Sequence, residues 1–476
     1  MQGGKKEKGT RVVVIGAGVG GAAAAALMAR EGCDVLLLEQ HPFPGGRCAT
    51  MARKGFRYDF GVHMFSRGAS GPHGMVDRRV EGGLQWITCD PPCHVMGRVE
   101  FDFPLDIRPL RRQAYLASKL KIGPKRLYGA FRLFRRLMDP GPVEEHDGRT
   151  LRDFVSGYTD DDTLHLFINC LCQLYFALSY KEASAGEFIW CFSRMFGEAS
   201  FGYPRGGGSA IPGSYIESLK KHGGRVLFNA PAGAIVVKNG TAVGVRAGRT
   251  TYPADIVISN AGMSRTIELA RRRSFPADYA ARADELVYSN AYITIKYALD
   301  RPVVPYPVVF YMPDMPGPSV FDYIGEKSLP DDPYIFMPVP SNMDPSLAPP
   351  GGQLIIAGTA APAGAGKTYC RALIERVDRR VCRLFPGIPG ATIWKSTSSV
   401  EDTARITRHA AGACIGLGQV PGQTGAGRPS CETPLRNLWL VGADAGARGI
   451  GTEIASRSAL ACVEAIRERR GRGGAS

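Results

Sequence analysis

The segment LEQHPFPGGR, from Leu38 to Arg47, combines an acidic residue with two glycines and an arginine. Glu39 ends an apolar run. Six positions later come Gly45, Gly46 and Arg47. Glycines let a backbone pass close to a phosphate, and an arginine can neutralise phosphate charge. We therefore interpret the segment as a loop that returns past a pyrophosphate.

The chain ahead of this loop has the pattern of a dinucleotide-binding unit. The apolar run 12–15 predicts a buried parallel strand, and an alanine-rich helix is expected over 22–29. Between them, the glycines of a GxGxxG motif would turn the chain, admit a pyrophosphate and let the helix pack closely. The run DVLLLE predicts a second strand ending in the acid that takes a ribose hydroxyl, which disfavours NADP. The predicted contacts are Gly16, Ala17, Gly18, Val19, Gly20, Gly21, Glu39, Gln40, Gly45, Gly46 and Arg47.

A second glycine-rich unit lies near the C-terminus. The run LWLVGAD predicts a strand that ends in Gly442 and Asp444, and a helix is expected to start near Thr452. Small residues followed by a helix N-terminus make a site for an anion or a carbonyl group. The first unit alone suits either NAD or FAD.

The segments GAGVGG, LLLEQHPFPGGRCAT and YDFGVHMF together resemble the flavin-dependent amine oxidase superfamily. The similarity is greatest to the branch of phytoene desaturases, carotenoid isomerases and retinol saturases. It implies FAD, with the Gly-Gly-Arg segment against the cofactor and Asp444 near its ribityl chain or phosphate. It also implies contacts from the middle of the chain, through backbone near 231–234. The further contacts it implies are Gly61, Val62, His63, Ala232, Gly233, Ala234, Asn260, Ala261, Gly442, Gly451 and Thr452.

The chain also departs from that branch. Ala232 stands where valine is usual, which matters little for a backbone contact. The segment DAGARGIGTE replaces the THPG-like residues of phytoene desaturases. The substrate therefore need not be phytoene.

The length of 476 residues predicts more than one domain. We expect an α/β fold: a Rossmann-like FAD-binding domain over 1–75, 202–289 and 400–476, interleaved with an α+β substrate domain. The substrate domain is assigned to 76–201 and 290–399. Its strand-like runs alternate apolar and polar residues, which predicts a mixed or antiparallel sheet, with a helical part beside it.

The net charge of +15 favours an anionic partner. Ten Lys or Arg lie within 108–136, in runs with helical spacing of apolar residues such as Leu127, Phe131, Phe134 and Met138. This pattern is typical of a membrane-interface helix and equally of a core-facing helix with a solvated basic face. No nucleic-acid motif accompanies the charge, so we expect no nucleic-acid partner.

The twelve cysteines have no zinc-ligand spacing, so we expect reduced thiols and no metal. Reduced thiols indicate a cytoplasmic protein. The protein would be peripheral to the membrane if the basic stretch docks there. The N-terminus also resembles a signal peptide, although its glycines fit the dinucleotide unit better. The run 164–178 is too short and polar to predict a membrane span.

Candidates for proton transfer beside the flavin are His63, Arg448 and Glu453. Each also has a simpler interpretation: a turn cap, a phosphate ligand and a helix-dipole partner, respectively. Three functions stay open: an FAD enzyme that desaturates, saturates or isomerises a lipophilic isoprenoid, an amine oxidase-type dehydrogenase, and a non-catalytic flavin-binding membrane protein. The lysine of the WKS segment, Lys395, is a weak argument for the second. Reaction direction, re-oxidant and oligomeric state stay open as well.

Overall fold

The structure, a computed structural model, describes residues 9–61, 64–139, 141–408, 410–446 and 448–473. Two of the predicted cofactor contacts, Val62 and His63, lie outside the described residues. The predicted role of His63 in proton transfer therefore stays a prediction.

The strands, in chain order, are β1 (Arg11–Ile15), β2 (Asp34–Leu38), β3 (Thr50–Arg53), β4 (Phe56–Asp59), β5 (Trp86–Thr88), β6 (Cys93–Gly97), β7 (Phe101–Phe103), β8 (Gly202–Pro204), β9 (Arg225–Leu227), β10 (Ala232–Lys238), β11 (Thr241–Ala247), β12 (Thr250–Pro253), β13 (Ile256–Ser259), β14 (Ala291–Leu299), β15 (Val308–Met312), β16 (Ile335–Pro338), β17 (Gln353–Ala361), β18 (Thr392–Ser398) and β19 (Leu438–Leu440).

The helices are α1 (Val19–Arg30), α2 (Pro72–Arg79), α3 (Leu110–Lys119), α4 (Leu127–Met138), α5 (Leu151–Ser156), α6 (Asp162–Phe176), α7 (Ala185–Glu198), α8 (Ala210–Lys221), α9 (Met263–Leu269), α10 (Ala277–Glu285), α11 (Asp322–Glu326), α12 (Pro340–Met343), α13 (Lys367–Leu384), α14 (Ile388–Ala391), α15 (Val400–Thr407) and α16 (Gly451–Gly473).

A parallel sheet of five strands, in the order β19-β13-β1-β2-β9, holds both glycine-rich units. The central strand β1 is buried beyond its first residue, because its β-branched side chains meet helices on one face and smaller strands on the other. Helix α1 packs between α8 and α16, and its alanines are fully buried. The Rossmann-like prediction is therefore confirmed.

A second sheet of seven strands, in the order β18-β14-β17-β16-β15-β6-β7, forms the other layer. Its pairs are antiparallel except β15 with β6, so the mixed sheet expected for this region is confirmed. Strands β14 and β17 are buried on both faces along their length. The exact division of the chain into two domains stays a prediction.

The basic helices differ from the expected apolar stripe. In α4 the buried positions are Ala130, Leu133, Phe134 and Leu137, and α4 packs on α7 through them. Phe131, expected on the same stripe as Phe134, is instead 41% exposed. The reason is angular: positions 127 and 131 lie on the edge of the helix that faces away from α7. None of the described helices is long and apolar enough to cross a membrane.

Candidate active site

An elongated cavity runs between the two sheets and encloses about 2170 Å³ of empty space, counting the part open to solvent. One end is lined by the C-terminal ends of β1, β2, β13 and β19, where the glycine-rich turns meet. The lining also includes residues of α6, β14 and β16, and of the loop that contains Ile415, which passes close to Arg47 and Asp444. Ligands of parallel α/β sheets bind outside the carboxyl ends of the strands, and the first end has this geometry.

Asn260 joins the two glycine-rich turns. A methyl group on Gly18 would lie 2.8 Å from the Asn260 amide nitrogen, and one on Gly442 would lie 2.6 Å from its amide oxygen. On Gly21, a methyl group would lie 1.9 Å from the carbonyl oxygen of Gly16. Gly21, which meets backbone, and Gly442, whose φ angle is +110°, therefore require glycine, and a side chain on Gly18 would have to displace the Asn260 amide. The cradle that these glycines form leaves backbone exposed to a bound pyrophosphate.

Glu39 is buried at 6% exposure and ties the two loops of the first unit together. The N–H of Ala17 donates to its Oε2 at 2.7 Å, and the N–H of His41 donates to its Oε1 at 2.9 Å. The N–H of Gly45 in turn donates to the carbonyl of Ala17, where the φ angle of Gly45 is +119°. The carboxylate lines the cavity, so a ribose hydroxyl can donate to its remaining lone pairs.

Arg47 reaches the cavity from this loop with an inaccessible Nη1 that has no hydrogen-bond partner among the residues that the structure describes. Burial lowers the pKa of its guanidinium, and the nearby carboxylate of Asp444 opposes that effect. An unsatisfied buried donor beside a glycine cradle fits a phosphate oxygen. The residues present therefore fit a dinucleotide such as FAD.

The structure brings most of the predicted cofactor contacts to this cavity. Those in its lining are Gly16, Gly18, Val19, Gly20, Glu39, Gln40, Gly45, Gly46, Arg47, Gly61, Ala232, Asn260, Ala261, Gly442, Asp444, Gly451 and Thr452. Four described residues are not in the lining: Ala17, Gly21, Gly233 and Ala234. Ala17 and Gly21 lie behind the lining. Ala17 donates a hydrogen bond to Glu39, and Gly21 packs against the carbonyl of Gly16. The last two extend along β10, away from the cavity mouth at Pro231.

The first turn of α16 is held by a buried histidine that the sequence analysis missed. His73 Nδ1 lies 2.8 Å from Ser456 Oγ, and its Nε2 lies 3.1 Å from Thr452 Oγ1. Burial, together with a smaller effect of Arg67, lowers the pKa of His73 to about 3. The imidazole is therefore neutral and positions Thr452, whose backbone lines the cavity at the positive end of a helix.

Glu453 lies in the same turn, lines the cavity and is only 4% exposed. Burial raises its pKa to about 7, although Arg67 acts in the opposite direction. The N–H of Arg67 donates to Glu453 Oε1 at 3.2 Å. Tyr175 on α6 also lines the cavity, close enough for Glu453 to add to the rise in its pKa that burial causes. The carboxyl group can therefore gain or lose a proton near neutral pH.

Arg448, the other predicted candidate, is not in the cavity lining. Its Nη1 donates to Glu187 Oε2 at 2.8 Å, and its Nη2 donates to Asp147 Oδ2 at 2.5 Å. Glu187 lies on α7, and Asp147 lies in the segment that precedes α5. The guanidinium is thus committed to an ion-pair network behind the turn, which argues against a role in proton transfer.

The lysine beside the cavity is Lys296 and not Lys395. Lys395 is half exposed and pairs with Asp378 at 2.8 Å, away from the cavity. Lys296 on β14 is instead 1% exposed, and burial lowers its pKa to about 7. Its Nζ donates to Thr294 and, at 2.6 Å, to Ser398, and both of these residues line the cavity.

Part of the cavity lining is uncharged. This part consists of side chains without formal charge: Leu174, Tyr175, Ala177, Tyr292, Phe336, Cys414 and Ile415. Such a lining removes water from a bound chain and suits a hydrocarbon or polyene.

Comparison with known proteins agrees with this arrangement. Residues 19–467 match the model of a family described as flavin containing amine oxidoreductase. The zeta-carotene-forming phytoene desaturase of Myxococcus xanthus is 27% identical over 92% of this chain and 90% of its own. Human all-trans-retinol 13,14-reductase is 27% identical over 96% of this chain and 85% of its own. The crystal structure of an oxidoreductase from Methanosarcina mazei superposes with a TM-score of 0.74 at 22% identity, covering 95% of this chain and 100% of that one.

Proposed function

The chain belongs to the flavin containing amine oxidoreductase family and is an FAD-dependent oxidoreductase, and we propose that it adds or removes hydrogen across carbon–carbon bonds of a lipophilic, isoprenoid-like polyene. The observation that carries the proposal is the group of large uncharged side chains, among them Leu174, Tyr292, Phe336 and Ile415, that lines the same cavity as the dinucleotide cradle. Relatives named for a carotenoid and for a retinol support the same substrate class.

Glu453 is the proposed proton acceptor or donor of the reaction. Desaturation takes a hydride from one carbon and a proton from its neighbour, and saturation supplies both. Glu453 stands where the cradle meets the apolar wall, and a pKa of about 7 leaves both of its protonation states populated at neutral pH. A buried carboxyl in this range is the arrangement that general acid–base catalysis needs.

FAD, when bound, supplies the hydride acceptor or donor of this chemistry. Arg47 and the glycine cradle would hold its pyrophosphate, and the N-terminus of α16 with Thr452 would face its ring. His73 fixes that turn through the hydroxyls of Thr452 and Ser456. Lys296 places a titratable ammonium behind Thr294 and Ser398 at the wall of the same cavity.

A panel of compounds distinguishes this function from the alternatives. Under anaerobic conditions the oxidised holoenzyme is mixed with partly saturated isoprenoids, and the reduced holoenzyme with conjugated polyenes, while flavin absorbance is recorded. Change with either set supports the proposal and gives the direction. Bleaching by small amines alone would favour the amine oxidase alternative. A flavin that responds to none of these compounds would favour a non-catalytic role.

We also propose that the face formed by α3 and α4 docks on an anionic membrane, which would place the protein at the cytoplasmic membrane surface. Four large apolar side chains on this face are exposed: Leu110 at 66%, Leu127 at 41%, Tyr128 at 73% and Phe131 at 41%. Basic side chains without an ion-pair partner among the described residues surround them: Arg111, Arg112, Lys119, Lys121, Lys125, Arg132 and Arg135. Apolar anchors ringed by cations are complementary to an anionic bilayer.

Vesicle sedimentation tests this docking. We expect binding to phosphatidylglycerol vesicles and weaker binding to phosphatidylcholine vesicles. The double variant Tyr128→Asp with Phe131→Asp should bind phosphatidylglycerol vesicles at least tenfold more weakly, since two side chains that the membrane would bury are each replaced by a charge. The control is Ile393→Asp, an apolar residue with 49% exposure on β18. Equal binding by both variants, or no binding by the native chain, would contradict the docking proposal.

A further inference from the structure

Two arginines lie against the same indole ring. Arg194 on α7 has its guanidinium carbon 5.7 Å from the centre of the Trp190 ring, and Arg457 on α16 lies 4.6 Å from it. A cation over an aromatic face is stabilised by the ring quadrupole. Two cations that share one ring also repel each other, so the arrangement needs an explanation.

Neither arginine has a carboxylate partner among the described residues. Burial lowers the pKa of Arg457, and the neighbouring Arg67 and Arg194 lower it further. Arg67 is itself paired, with its Nε donating to Glu198 at 3.0 Å. Glu198 neutralises Arg67, and the carboxyl groups of Glu453 and Glu187 act on Arg457. The cluster formed by these three arginines and Trp190 therefore has its excess positive charge at Arg194.

The cluster lies next to residues that line the cavity, although its own four residues are not in the lining. Arg457 lies one helical turn after Glu453, on the same face of α16. Arg67 directly follows Ser66, which lines the cavity. Arg194 is exposed and Trp190 is half buried, so the cluster is open to solvent at Arg194.

We propose that Arg194, Arg457 and Trp190 form a binding site for an oxyanion, a phosphate or a carboxylate, at the rim of the cavity. A guanidinium group that packs against an indole face can still present its N–H edge to a ligand. Those edges form paired hydrogen bonds with carboxylate and phosphate oxygens. Uncompensated positive charge at a solvent opening attracts such a group.

The oxyanion can belong to a lipid headgroup or to an acidic end group on the lipophilic substrate. The second case rests on the proposed function, because the chain of such a ligand would extend into the apolar cavity. The site itself is independent of turnover. Its failure and the failure of the polyene reaction are therefore measured separately.

Calorimetric titration of the FAD-loaded protein with inorganic phosphate, at fixed ionic strength, tests the site. Cofactor occupancy removes the pyrophosphate cradle from competition. We expect saturable binding to the native protein and at least a tenfold loss in the double variant Arg194→Gln with Arg457→Gln. The matched control is Arg469→Gln, because Arg469 lies on the same helix 5.9 Å from the ring of Trp439 and should not alter binding. Absence of binding, or equal binding by the double variant, would overturn the proposal.

Two further titrations identify the source of the oxyanion. An isoprenoid carboxylic acid and the matching alcohol differ only in the charged group. A preference for the acid that the double variant loses assigns the site to the substrate. Binding to phosphatidylglycerol vesicles that the double variant weakens, with no preference for the acid, assigns it to a headgroup. If neither ligand distinguishes the native protein from the double variant, the site is not one for lipid-borne oxyanions.

Discussion

Replacing Glu453 by glutamine keeps the shape of the side chain and the hydrogen bond it accepts from Arg67 while removing its titration. In the native protein, burial raises the pKa of this carboxyl from 4.5 to about 7. A group whose folded pKa lies above its unfolded value holds its proton more tightly in the native state. Its contribution to the free energy of unfolding is complete at pH values below the pKa of the group in the unfolded state. That contribution is lost as the pH rises through the pKa of the group in the folded state.

The magnitude follows from that difference. Each pKa unit corresponds to about 1.4 kcal/mol, so the free energy of unfolding should fall by about 3 kcal/mol between pH 4.5 and pH 7 from this group alone. In a chain of 476 residues this corresponds to about 3 °C in melting temperature. We therefore expect Glu453→Gln to melt higher than the native protein above pH 7, with the difference shrinking toward acid pH.

The same variant should lose about a hundredfold or more in the rate of flavin reduction by substrate, because positioned acid–base groups contribute that much. Melting curves of the FAD-loaded proteins from pH 5 to pH 8.5, together with anaerobic reduction rates, check both results. Glu464→Gln is the control, since Glu464 lies on the same helix at the surface, paired with Arg467. If the melting temperatures of Glu453→Gln and of the native protein change with pH in the same way, burial does not raise the pKa of Glu453 as described. An unchanged rate would refute the proposed proton transfer.

Other changes test the cradle and the cavity wall. Lys296→Met should retain FAD but lose the change in the rate of flavin reduction near pH 7 that results from titration of this ammonium group. Lys395→Met, at an exposed ion pair, should behave like the native protein in the same assay. Gly21→Ala should abolish FAD retention on gel filtration, because the added carbon would lie 1.9 Å from a carbonyl oxygen, while Gly213→Ala, with open space around it in α8, should raise stability by about 1 kcal/mol in chemical unfolding. Arg47→Gln should weaken FAD binding at least tenfold, measured by the fluorescence of released flavin, because a buried guanidinium facing phosphate is lost. Unaltered FAD affinity in this variant would exclude Arg47 as a phosphate ligand.

The elements of the cofactor end could be predicted because their signals are local. The apolar run 12–15, the glycines after it and the alanine-rich helix lie within about 20 residues. Asn260 was predicted only through the family resemblance. Its position between Gly18 and Gly442 depends on β1 and β19, which are distant in the chain, pairing with the two edges of β13.

Residues that act through distant partners could not be predicted. Arg448 was predicted to act beside the flavin, but its partners Asp147 and Glu187 stand 301 and 261 positions earlier in the chain. Lys296 was missed because its strand, AYITIKYAL, has the alternation of a half-exposed strand, whereas the strand is central and buried on both faces. A lysine within such an apolar run is the only local signal that could have identified it.

The basic helices show a third kind of limit. Helical spacing placed Phe131 and Phe134 on one apolar stripe, and both interpretations of the stripe were compatible with the sequence. The structure buries Phe134 at 3% exposure and leaves Phe131 at 41%, because α7 covers only part of the helix. Which apolar residues stay exposed depends on the neighbouring helix, and this decides whether the face can dock on a membrane.

The central claim is that this protein transfers hydrogen between FAD and an apolar polyene. The most direct measurement is a single anaerobic turnover, in which the holoenzyme is mixed with less than one equivalent of a partly saturated or conjugated isoprenoid and the lipid is then extracted for mass spectrometry. If hydrogen is transferred, we expect a stoichiometric change in flavin absorbance and a product that differs from the substrate by two hydrogens. A flavin that polyenes of either oxidation level leave unchanged, and that a small amine reduces, would contradict the claim.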